Sequence, residues 1–191
     1  MRIVAGEFRG RRLHAPKGMS IRPTSDRVRE AIFNIVGPRL QNVRVLDLFA
    51  GTGALGLEAL SRGAAQAVFV DDAAEAIRLI SVNIKICGVQ ERALVVRGAV
   101  GRVLDRLVRH GQKEPFDKFQ MVFLDPPYGH GHVEKTLGLL DRLTAQDALV
   151  VAEHHTKDLV PARWGDWVLG QQRKYGATIV SFYMKDVLQP A

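Results

Sequence analysis

The sequence predicts an α/β fold in which a mostly parallel sheet is covered by helices on both faces. From residue 43 onwards, short apolar runs alternate with segments of helical periodicity. A glycine-rich turn follows the first of these runs, and an Asp-Pro-Pro-Tyr turn follows the fourth. Strands that alternate with helices in this way pair in parallel, so both turns are expected at the edge of the sheet where ligands bind.

Each element is predicted from its apolar spacing and from the turn residues that flank it. A first helix is expected to begin within Pro23-Thr24-Ser25-Asp26, whose side chains can cap it, and to end at Gly37-Pro38. The seven predicted strands cover residues 43–49, 67–70, 93–96, 120–124, 148–152, 167–169 and 177–184. The four further helices cover residues 55–62, 73–86, 100–109 and 132–142. Only a turn is expected between the last two strands.

The composition is that of an ordinary globular protein. Of its 191 residues, 47% are hydrophobic and 25% are charged, which is enough apolar material for one core. No apolar run is long enough to span a membrane, and the N-terminus lacks the apolar region of a signal peptide. Cys87 is the only cysteine, so neither an internal disulfide nor a thiolate metal site is expected. We therefore expect a cytoplasmic protein without membrane association and without a metal ion.

Positive charge is concentrated near the N-terminus. Residues 1–29 carry eight basic and two acidic side chains, a net charge of +6, whereas the rest of the chain carries 19 and 18, a net charge of +1. Apolar residues interleave with these charges, which a merely solubilising tail does not require. The pattern predicts a basic β-hairpin extension over residues 1–22 that binds nucleic acid, and a catalytic domain over 23–191. The residues expected to contact nucleic acid are Arg2, Arg9, Arg11, Arg12, Lys17, Arg22 and Arg27.

The strongest local signal is a glycine-rich turn at the end of the first strand. The spacing Gly51-x-Gly53-x-x-Gly56 follows a strand and opens a helix, as in dinucleotide-binding proteins. Asp71 lies 20 residues after Gly51, at the end of the next strand, where a carboxylate can bind ribose hydroxyls. A nicotinamide-dependent dehydrogenase is therefore one interpretation of this turn.

Asp47, four residues before Gly51, favours a different ligand. A carboxylate that faces the cleft there would repel a pyrophosphate but would attract the ammonium and sulfonium groups of S-adenosylmethionine. The glycines would let the backbone lie close to that ligand. The residues predicted to bind S-adenosylmethionine are Asp47, Phe49, Ala50, Gly51, Thr52, Gly53 and Asp71.

A second motif, Asp125-Pro126-Pro127-Tyr128, ends the fourth strand. Its prolines restrict the backbone and lack N–H donors, so that carbonyls and the Asp125 carboxylate remain as acceptors. An exocyclic amine could donate to Asp125 and to the Pro126 carbonyl, which would orient its nitrogen towards a methyl donor. Tyr128 could stack on the base, which must be unpaired or flipped to reach such a pocket. We therefore predict that these four residues are catalytic.

Four stretches of the chain together resemble one family. They are residues 2–13, 22–34, 46–53 and 125–128. In this combination they are similar to the bacterial small-subunit (16S) ribosomal RNA guanine-N2 methyltransferases of the D type. The two N-terminal stretches are the specific part, because the other two also fit amino-methyltransferases that act on DNA adenine.

The resemblance implies a Rossmann-like, class I S-adenosylmethionine-dependent methyltransferase whose last strands include one antiparallel hairpin. It implies that the 125–128 motif holds the guanine amine, that the N-terminal extension contacts ribosomal RNA, and that Thr24 and Arg27 lie near the site. The expected partner is small-subunit ribosomal RNA or the assembling subunit, and a monomer is expected. Residues 96–100 lack the acidic or amide side chain that such enzymes often use for adenine, so no adenine-binding residue is predicted.

Three alternatives remain at the level of the sequence. A DNA amino-methyltransferase would use the same site, although no helix suited to reading the major groove is evident. A nicotinamide-dependent dehydrogenase is disfavoured by Asp47 and by the 125–128 motif. A nucleic-acid-binding protein that retains the fold without catalysis is disfavoured because the 125–128 motif is intact.

Overall fold

The computed structural model describes residues 1–15, 26–110, 118–129 and 131–186. Within these ranges, one sheet of eight strands is covered by five α-helices. The strands are β1 (Arg44–Leu48), β2 (Gln66–Asp71), β3 (Ala93–Arg97), β4 (Phe119–Leu124), β5 (Thr144–His155), β6 (Arg163–Trp164), β7 (Trp167–Tyr175) and β8 (Thr178–Lys185). The helices are α1 (Asp26–Val36), α2 (Ala54–Ser61), α3 (Ala74–Cys87), α4 (Val100–His110) and α5 (His132–Leu140). No helix in these ranges combines the length and apolarity that crossing a membrane requires.

The strand order of the sheet is β3-β2-β1-β4-β5-β8-β7-β6. The four pairs from β3 to β5 are parallel, and the three pairs from β5 to β6 are antiparallel. The predicted α/β fold is confirmed, but the predicted number of seven strands is wrong by one. The additional strand, β6, has only two residues, and both are exposed. No apolar alternation can be recognised over that length.

Two strands are longer than the sequence predicts. β5 extends beyond its apolar run in both directions, and β7 continues past Leu169 through a polar stretch to Tyr175. Tyr175 and His155 both pair with Thr178, so the antiparallel ladder with β8 maintains the carboxyl end of β5 and the polar part of β7. Thr144, at the start of β5, pairs with Phe119 of β4. Because the added residues of β7 are mostly exposed, their apolarity could not reveal them.

Two apolar clusters fill the opposite faces of the sheet. On one face, α1, α2 and α3 pack against residues that include Phe69 of β2 and Phe123 of β4. On the other face, α4 and α5 pack against residues that include Leu48 of β1 and Trp167 of β7. The prediction of helices on both faces is therefore confirmed.

The order of the strands changes direction at β1, which lies between β2 and β4. At this point the backbone N–H of Asp125, just after β4, donates to the carbonyl of Leu48 at the end of β1, with an N–O distance of 3.4 Å. The glycine turn and the Asp-Pro-Pro-Tyr turn therefore begin side by side. This is the position at which open α/β sheets bind ligands.

The N-terminal segment, residues 1–15, forms a short hairpin that lies on the first apolar cluster. Its only bridge of β type in the described part of the chain joins Arg2 to Arg12. Ile3, Phe8 and Leu13 are buried in the cluster that contains α1, α2 and α3. The predicted β-hairpin is therefore present in a short form, because the N–H groups of Ile3 and Leu13 donate to the carbonyls of Arg11 and Met1 at 3.0 and 3.1 Å. Side chains of α2 and α3 accept hydrogen bonds from other N–H groups of the segment. Residues 16–25, with the predicted boundary after 22 and the predicted helix cap, lie outside the described residues.

Candidate active site

The turn between β1 and α2 is held in an unusual backbone conformation. Gly51 and Gly53 have φ angles of 56° and 75°, and Phe49, which has a side chain, has a φ angle of 57°. Left-handed φ angles are rare in residues other than glycine and often mark functional sites. The Ala50 N–H donates to the carbonyl of Val70 at 3.1 Å, which ties the turn to β2.

Asp71 organises the same turn from the end of β2. Its Oδ2 accepts a hydrogen bond from the Gly51 N–H at 2.9 Å, and its Oδ1 accepts one from the Ala73 N–H at 2.9 Å. Each carboxylate oxygen can accept more than one hydrogen bond, so these contacts leave Asp71 able to bind a ribose hydroxyl. Its role in ribose binding stays a prediction.

Asp47 lies beneath the turn and does not face an open cleft. It is 1% exposed, and its Oδ2 accepts a hydrogen bond from the Gly56 N–H at 2.9 Å. Burial raises the pKa of Asp47 to about 8, against the hydrogen bond from Gly56 and with a smaller contribution from the charge of Asp71. The expected orientation was wrong because Asp47 is in register with Phe69 and Phe123, so that its side chain points to the face covered by α2.

Gly56, the third glycine of the Gly51-x-Gly53-x-x-Gly56 spacing, allows α2 to pack closely on the sheet. A Cβ atom on Gly56 would lie 2.4 Å from Cε1 of Phe69 and 3.1 Å from Oδ2 of Asp47. Only glycine therefore allows α2 to lie so close to β2. The spacing that resembles a nucleotide motif is partly a requirement of the fold.

The Asp-Pro-Pro-Tyr turn is anchored at its tyrosine. Asp125 is half-buried, Pro126 is buried and Pro127 is exposed. The Tyr128 hydroxyl donates to Oε1 of Glu153 at 3.4 Å and lies 3.3 Å from the Thr178 hydroxyl. These contacts hold the tyrosine against β5 and β8, and stacking on a base stays a prediction.

Glu153 is a site residue that the sequence analysis missed. It is 6% exposed and lies next to Ala152, which pairs with Leu124, so it is adjacent to Asp125 across the sheet. A signal was present in the sequence: an acidic residue directly follows the apolar run 148–152 at the carboxyl end of a parallel strand. Polar residues at these strand ends often serve ligand sites.

A cavity of about 480 Å³ opens beside this turn. Its lining includes Pro126, Pro127, His132, His154, Asp158 and Leu159. Asp158 connects the turn after Tyr128 to the end of β5, because Oδ1 accepts a hydrogen bond from the Gly129 N–H at 3.1 Å and Oδ2 accepts one from the His155 N–H at 3.0 Å. With its volume of about 480 Å³, the cavity is large enough for a planar base, and Pro126 and Pro127 of the predicted catalytic motif line it.

The histidines near the site serve different structural roles. The ring of His132 packs on the ring of Phe49 with centroids 5.3 Å apart, and the ring of His155 packs on that of Tyr128 at 5.4 Å. Burial lowers the pKa of His154, whose Nε2 lies 2.8 Å from the Ser181 hydroxyl. In the part of the chain that the structure describes, no three His, Cys, Asp or Glu side chains cluster as a metal site would. His130 lies outside that part.

Asn83 of α3 joins the N-terminal segment to the glycine turn. It is fully buried, and its Nδ2 donates to the carbonyls of Thr52 at 2.9 Å and His14 at 3.0 Å. Its Oδ1 accepts a hydrogen bond from the His14 N–H at 2.7 Å. Sequence reasoning missed Asn83, although an amide between the buried Ile80 and Ile84 of one helix is a recognisable signal.

The N-terminal segment is also fastened to α2. Both carboxylate oxygens of Glu58 accept backbone hydrogen bonds, from Val4 at 2.8 Å and from Ala5 at 3.0 Å. The Ser61 hydroxyl accepts a hydrogen bond from the Phe8 N–H at 2.9 Å. Since α2 begins at the glycine turn, the basic segment and the predicted cofactor site form one continuous structure.

The described basic residues predicted to bind nucleic acid are exposed, and one of them also supports the fold. Arg2, Arg9, Arg12 and Arg27 are exposed, and Lys17 and Arg22 lie outside the described residues. Arg11 is exposed but also structural, because its guanidinium donates to the Ile86 carbonyl at 2.9 Å and lies 5.0 Å from the centre of the Phe8 ring.

Arg29, which contributes to the charge near the N-terminus, is fully buried. Its Nε lies 4.0 Å from Oε2 of Glu58, and its guanidinium donates to the Arg2 carbonyl. The charge that reaches a partner is therefore smaller than the sequence suggests.

Comparison with known proteins places these features in a family. The family model described as conserved hypothetical protein 95 matches residues 1–184. YlbH of Bacillus subtilis (strain 168), provisionally named an rRNA methyltransferase, is 40% identical over 97% of this chain and 99% of its own. Ribosomal RNA small subunit methyltransferase D of Escherichia coli (strain K12) is 34% identical over 97% of this chain and 90% of its own.

A solved structure gives the same result. The protein yhhF of Escherichia coli, provisionally titled a methyltransferase, superposes with a TM-score of 0.83 at 33% identity. The match covers 97% of this chain and 98% of that one. The resemblance recognised in the sequence is thus confirmed along nearly the whole chain. With its Rossmann-like methyltransferase fold, this chain belongs to the conserved hypothetical protein 95 family, and ribosomal RNA small subunit methyltransferase D is one of its relatives.

Proposed function

We propose that this protein transfers a methyl group from S-adenosylmethionine to the exocyclic N2 amine of a guanine in small-subunit ribosomal RNA. The observation that carries this proposal is the hydrogen bond from the Asp125 N–H to the Leu48 carbonyl, which brings the glycine turn and the 125–128 motif together. The full-length relatives named as rRNA methyltransferases support RNA as the acceptor.

The charges around the glycine turn suit S-adenosylmethionine. The charge of Asp71 is close enough to raise the pKa of the buried Asp47. The Asp71 carboxylate therefore gives the turn a negative charge that attracts cations. A pyrophosphate would add negative charge to the same place, which argues against a nicotinamide cofactor. Asp71, Gly51, Gly53 and the strained Phe49 would hold the cofactor, which supplies an activated methyl group.

The 125–128 motif suits an amine that carries two N–H bonds. Pro126 and Pro127 have no N–H, so the turn presents acceptors: the Asp125 carboxylate and the proline carbonyls. Two hydrogen bonds from the amine to Asp125 and to the Pro126 carbonyl would fix the direction of its nitrogen lone pair. The Asp125 carboxylate also stabilises the positive charge that develops on the nitrogen during methyl transfer.

The N-terminal segment would hold the RNA. The exposed side chains of Arg2, Arg9, Arg12 and Arg27 can contact phosphates, which position a nucleic acid without reading its sequence. We infer a division into an RNA-binding extension, residues 1–22, and a catalytic domain, residues 23–191. One chain supplies both turns of the site, which supports a monomer, and the cytoplasm is where ribosomal RNA would be met.

The experiment that tests this function combines tritiated S-adenosylmethionine with a panel of acceptors: naked small-subunit ribosomal RNA, assembled small subunits, duplex DNA and single-stranded DNA. Digestion to nucleosides then identifies the labelled base. Label in N2-methylguanosine from the RNA or the subunit is the expected result. Label in DNA adenine would support methylation of an exocyclic amine but would show that the substrate is DNA. No label in any acceptor would contradict the proposal.

The Asp125→Ala variant provides the matched test of mechanism. We expect methyl transfer to fall by at least about a hundredfold, because the amine loses the acceptor that orients it. Binding of S-adenosylmethionine, measured by calorimetric titration, should change little, since the glycine turn is intact. Turnover close to that of the wild type would exclude the proposed role of Asp125.

A further inference from the structure

Leu159 is an apolar side chain in an unusual position. It lies in the loop 156–161, after β5, and is 92% exposed. The next most exposed large apolar residues in the described part of the chain, Trp164 and Met184, are 42% and 41% exposed. A leucine that is so exposed contributes little to folding through burial of its apolar surface.

The loop that carries Leu159 is firmly attached to the predicted catalytic turn. Asp158, its immediate neighbour, accepts hydrogen bonds from the Gly129 N–H and the His155 N–H. The Lys157 N–H donates to Nδ1 of His155 at 3.1 Å, and the ring of His155 packs on Tyr128. The position of Leu159 relative to the 125–128 motif is therefore set by short contacts.

Leu159 also lines the same cavity of about 480 Å³ as Pro126 and Pro127. A base bound in this cavity would lie close to the leucine. Lys157, two residues earlier, is exposed and offers a positive charge that suits a phosphate next to such a base. The wall of the cavity thus combines an exposed leucine, a lysine and two prolines of the predicted catalytic motif.

Removing a base from a stack leaves a gap between its neighbours. Proteins that unstack nucleic acids often insert an apolar side chain such as leucine into a base step. An enzyme that modifies a base must extrude it from the stack and bear the cost of unstacking. An exposed leucine in the lining of the cavity, beside Pro126 and Pro127, has the chemistry and the position for this task.

We propose that Leu159 is a positioning residue that packs between the bases flanking the target guanine and holds that guanine in the pocket. The proposal rests on the proposed function and adds the residue that favours the flipped state. It predicts that loss of the Leu159 side chain lowers kcat/KM when the target guanine is stacked and has little effect on kcat/KM when the guanine is already unstacked.

The test uses two RNA substrates that contain the guanine methylated by the wild-type protein. One is a hairpin in which this guanine is stacked, and the other is an unstructured strand with the same neighbouring bases. For Leu159→Ala and for the polar variant of similar size, Leu159→Asn, we expect kcat/KM on the hairpin to fall about tenfold. On the unstructured strand it should fall less than twofold. Because Leu159 is exposed, the thermal stability of both variants should match that of the wild type.

Met184→Ala is the control, because Met184 is an exposed apolar residue paired with Leu149, at the opposite edge of the sheet. It should leave both activities unchanged. An equal loss on both RNAs, or no loss on the hairpin, would overturn the role of Leu159.

A second readout is independent of catalysis. With 2-aminopurine at the target position of the hairpin, the wild-type protein should increase its fluorescence by unstacking it, and Leu159→Ala should not. An increase in fluorescence with Leu159→Ala as large as that with the wild type would overturn the proposal. If no acceptor RNA is methylated by the wild-type protein, the proposed function fails, while this fluorescence comparison, made on a hairpin with a stacked 2-aminopurine, still decides whether Leu159 unstacks a base.

Discussion

At the scale of single residues, Asp47 has the most informative environment. It is buried under the glycine turn, and burial raises its pKa from 3.8 to about 8, with the Gly56 N–H opposing and the charge of Asp71 adding to the effect. The carboxyl group is therefore mostly protonated below pH 8 in the protein without ligand. A cation bound at the turn would favour its ionised form.

This environment predicts a specific dependence of stability on pH. Between pH 3.8 and about 8, the unfolded chain ionises Asp47 while the folded protein keeps it protonated. The contribution of the protonated carboxyl group to stability is thus complete below pH 3.8 and is lost as the pH rises through about 8. Relative to Asp47→Asn, which does not ionise, the free energy of unfolding of the wild type should fall by up to about 1.4 kcal/mol per pH unit in this window.

Urea unfolding of both proteins at pH 5, 7 and 9, without ligand, measures this difference. Comparison of the two proteins removes the contributions of other titrating groups. Parallel stability profiles for the wild type and Asp47→Asn would mean that the pKa of Asp47 is not raised.

At the scale of elements, α2 contacts the glycine turn, β2 and the N-terminal segment. Its first turn meets the glycine turn, Gly56 brings it close to β2, and Glu58 and Ser61 bind the backbone of the N-terminal segment. A substitution in α2 therefore affects several of these contacts at once. The buried Arg29 lies against Glu58 and connects α1 to the same helix.

The close approach of α2 to the sheet predicts the effect of adding one methyl group. Gly56→Ala should lower the free energy of unfolding by about 1–3 kcal/mol, because its Cβ would overlap the ring of Phe69. Gly101→Ala is the matched control, since Gly101 is in α4 and a Cβ there meets nothing within 4 Å. That change should be neutral or stabilise the protein by about 0.5–1 kcal/mol. Denaturant unfolding of both variants makes the measurement, and an unaffected Gly56→Ala would contradict the packing argument.

At the scale of the whole molecule, charge and topology point to one side of the sheet. The reversal of strand order at β1 places both functional turns at the carboxyl ends of the parallel strands. The basic segment reaches the same region because Asn83 joins His14 to the glycine turn. A polyanion that binds this segment would thereby be held near the predicted catalytic motif.

This distribution of charge predicts which arginines bind RNA. Replacing Arg9 and Arg12 together with alanine should weaken RNA binding and reduce the slope of log K against log salt by about 1.5–2, because two phosphate contacts are lost. Arg11 is left in place because it also supports α3. Filter binding at several salt concentrations measures the slope.

The control for this prediction replaces Arg39 and Arg142, two exposed arginines that precede β1 and β5 at the opposite edge. It makes the same change in net charge and should leave the slope unchanged. Equal effects of the two double variants would indicate a general effect of charge and no specific RNA site.

Much of the fold could be predicted because its signals are local. The alternation of apolar runs with helical spacing marks the strands and helices other than β6, and the two functional turns are contiguous in sequence. β6, with two exposed residues, and the polar half of β7 have no such local pattern. β6 pairs with β7, and the polar half of β7 pairs with β8, which lies later in the chain.

The sequence by itself determined the α/β architecture, the glycine turn, the 125–128 motif and the concentration of charge near the N-terminus. Only the tertiary structure decided that Asp47 is buried, that Arg29 faces Glu58, and that Asn83 joins two segments 69 and 31 residues away. It also decided the positions of Glu153 and Leu159 beside the catalytic motif. The physical reason is the same in each case: secondary structure follows from neighbours in sequence, whereas burial and hydrogen-bond partners depend on how distant elements pack.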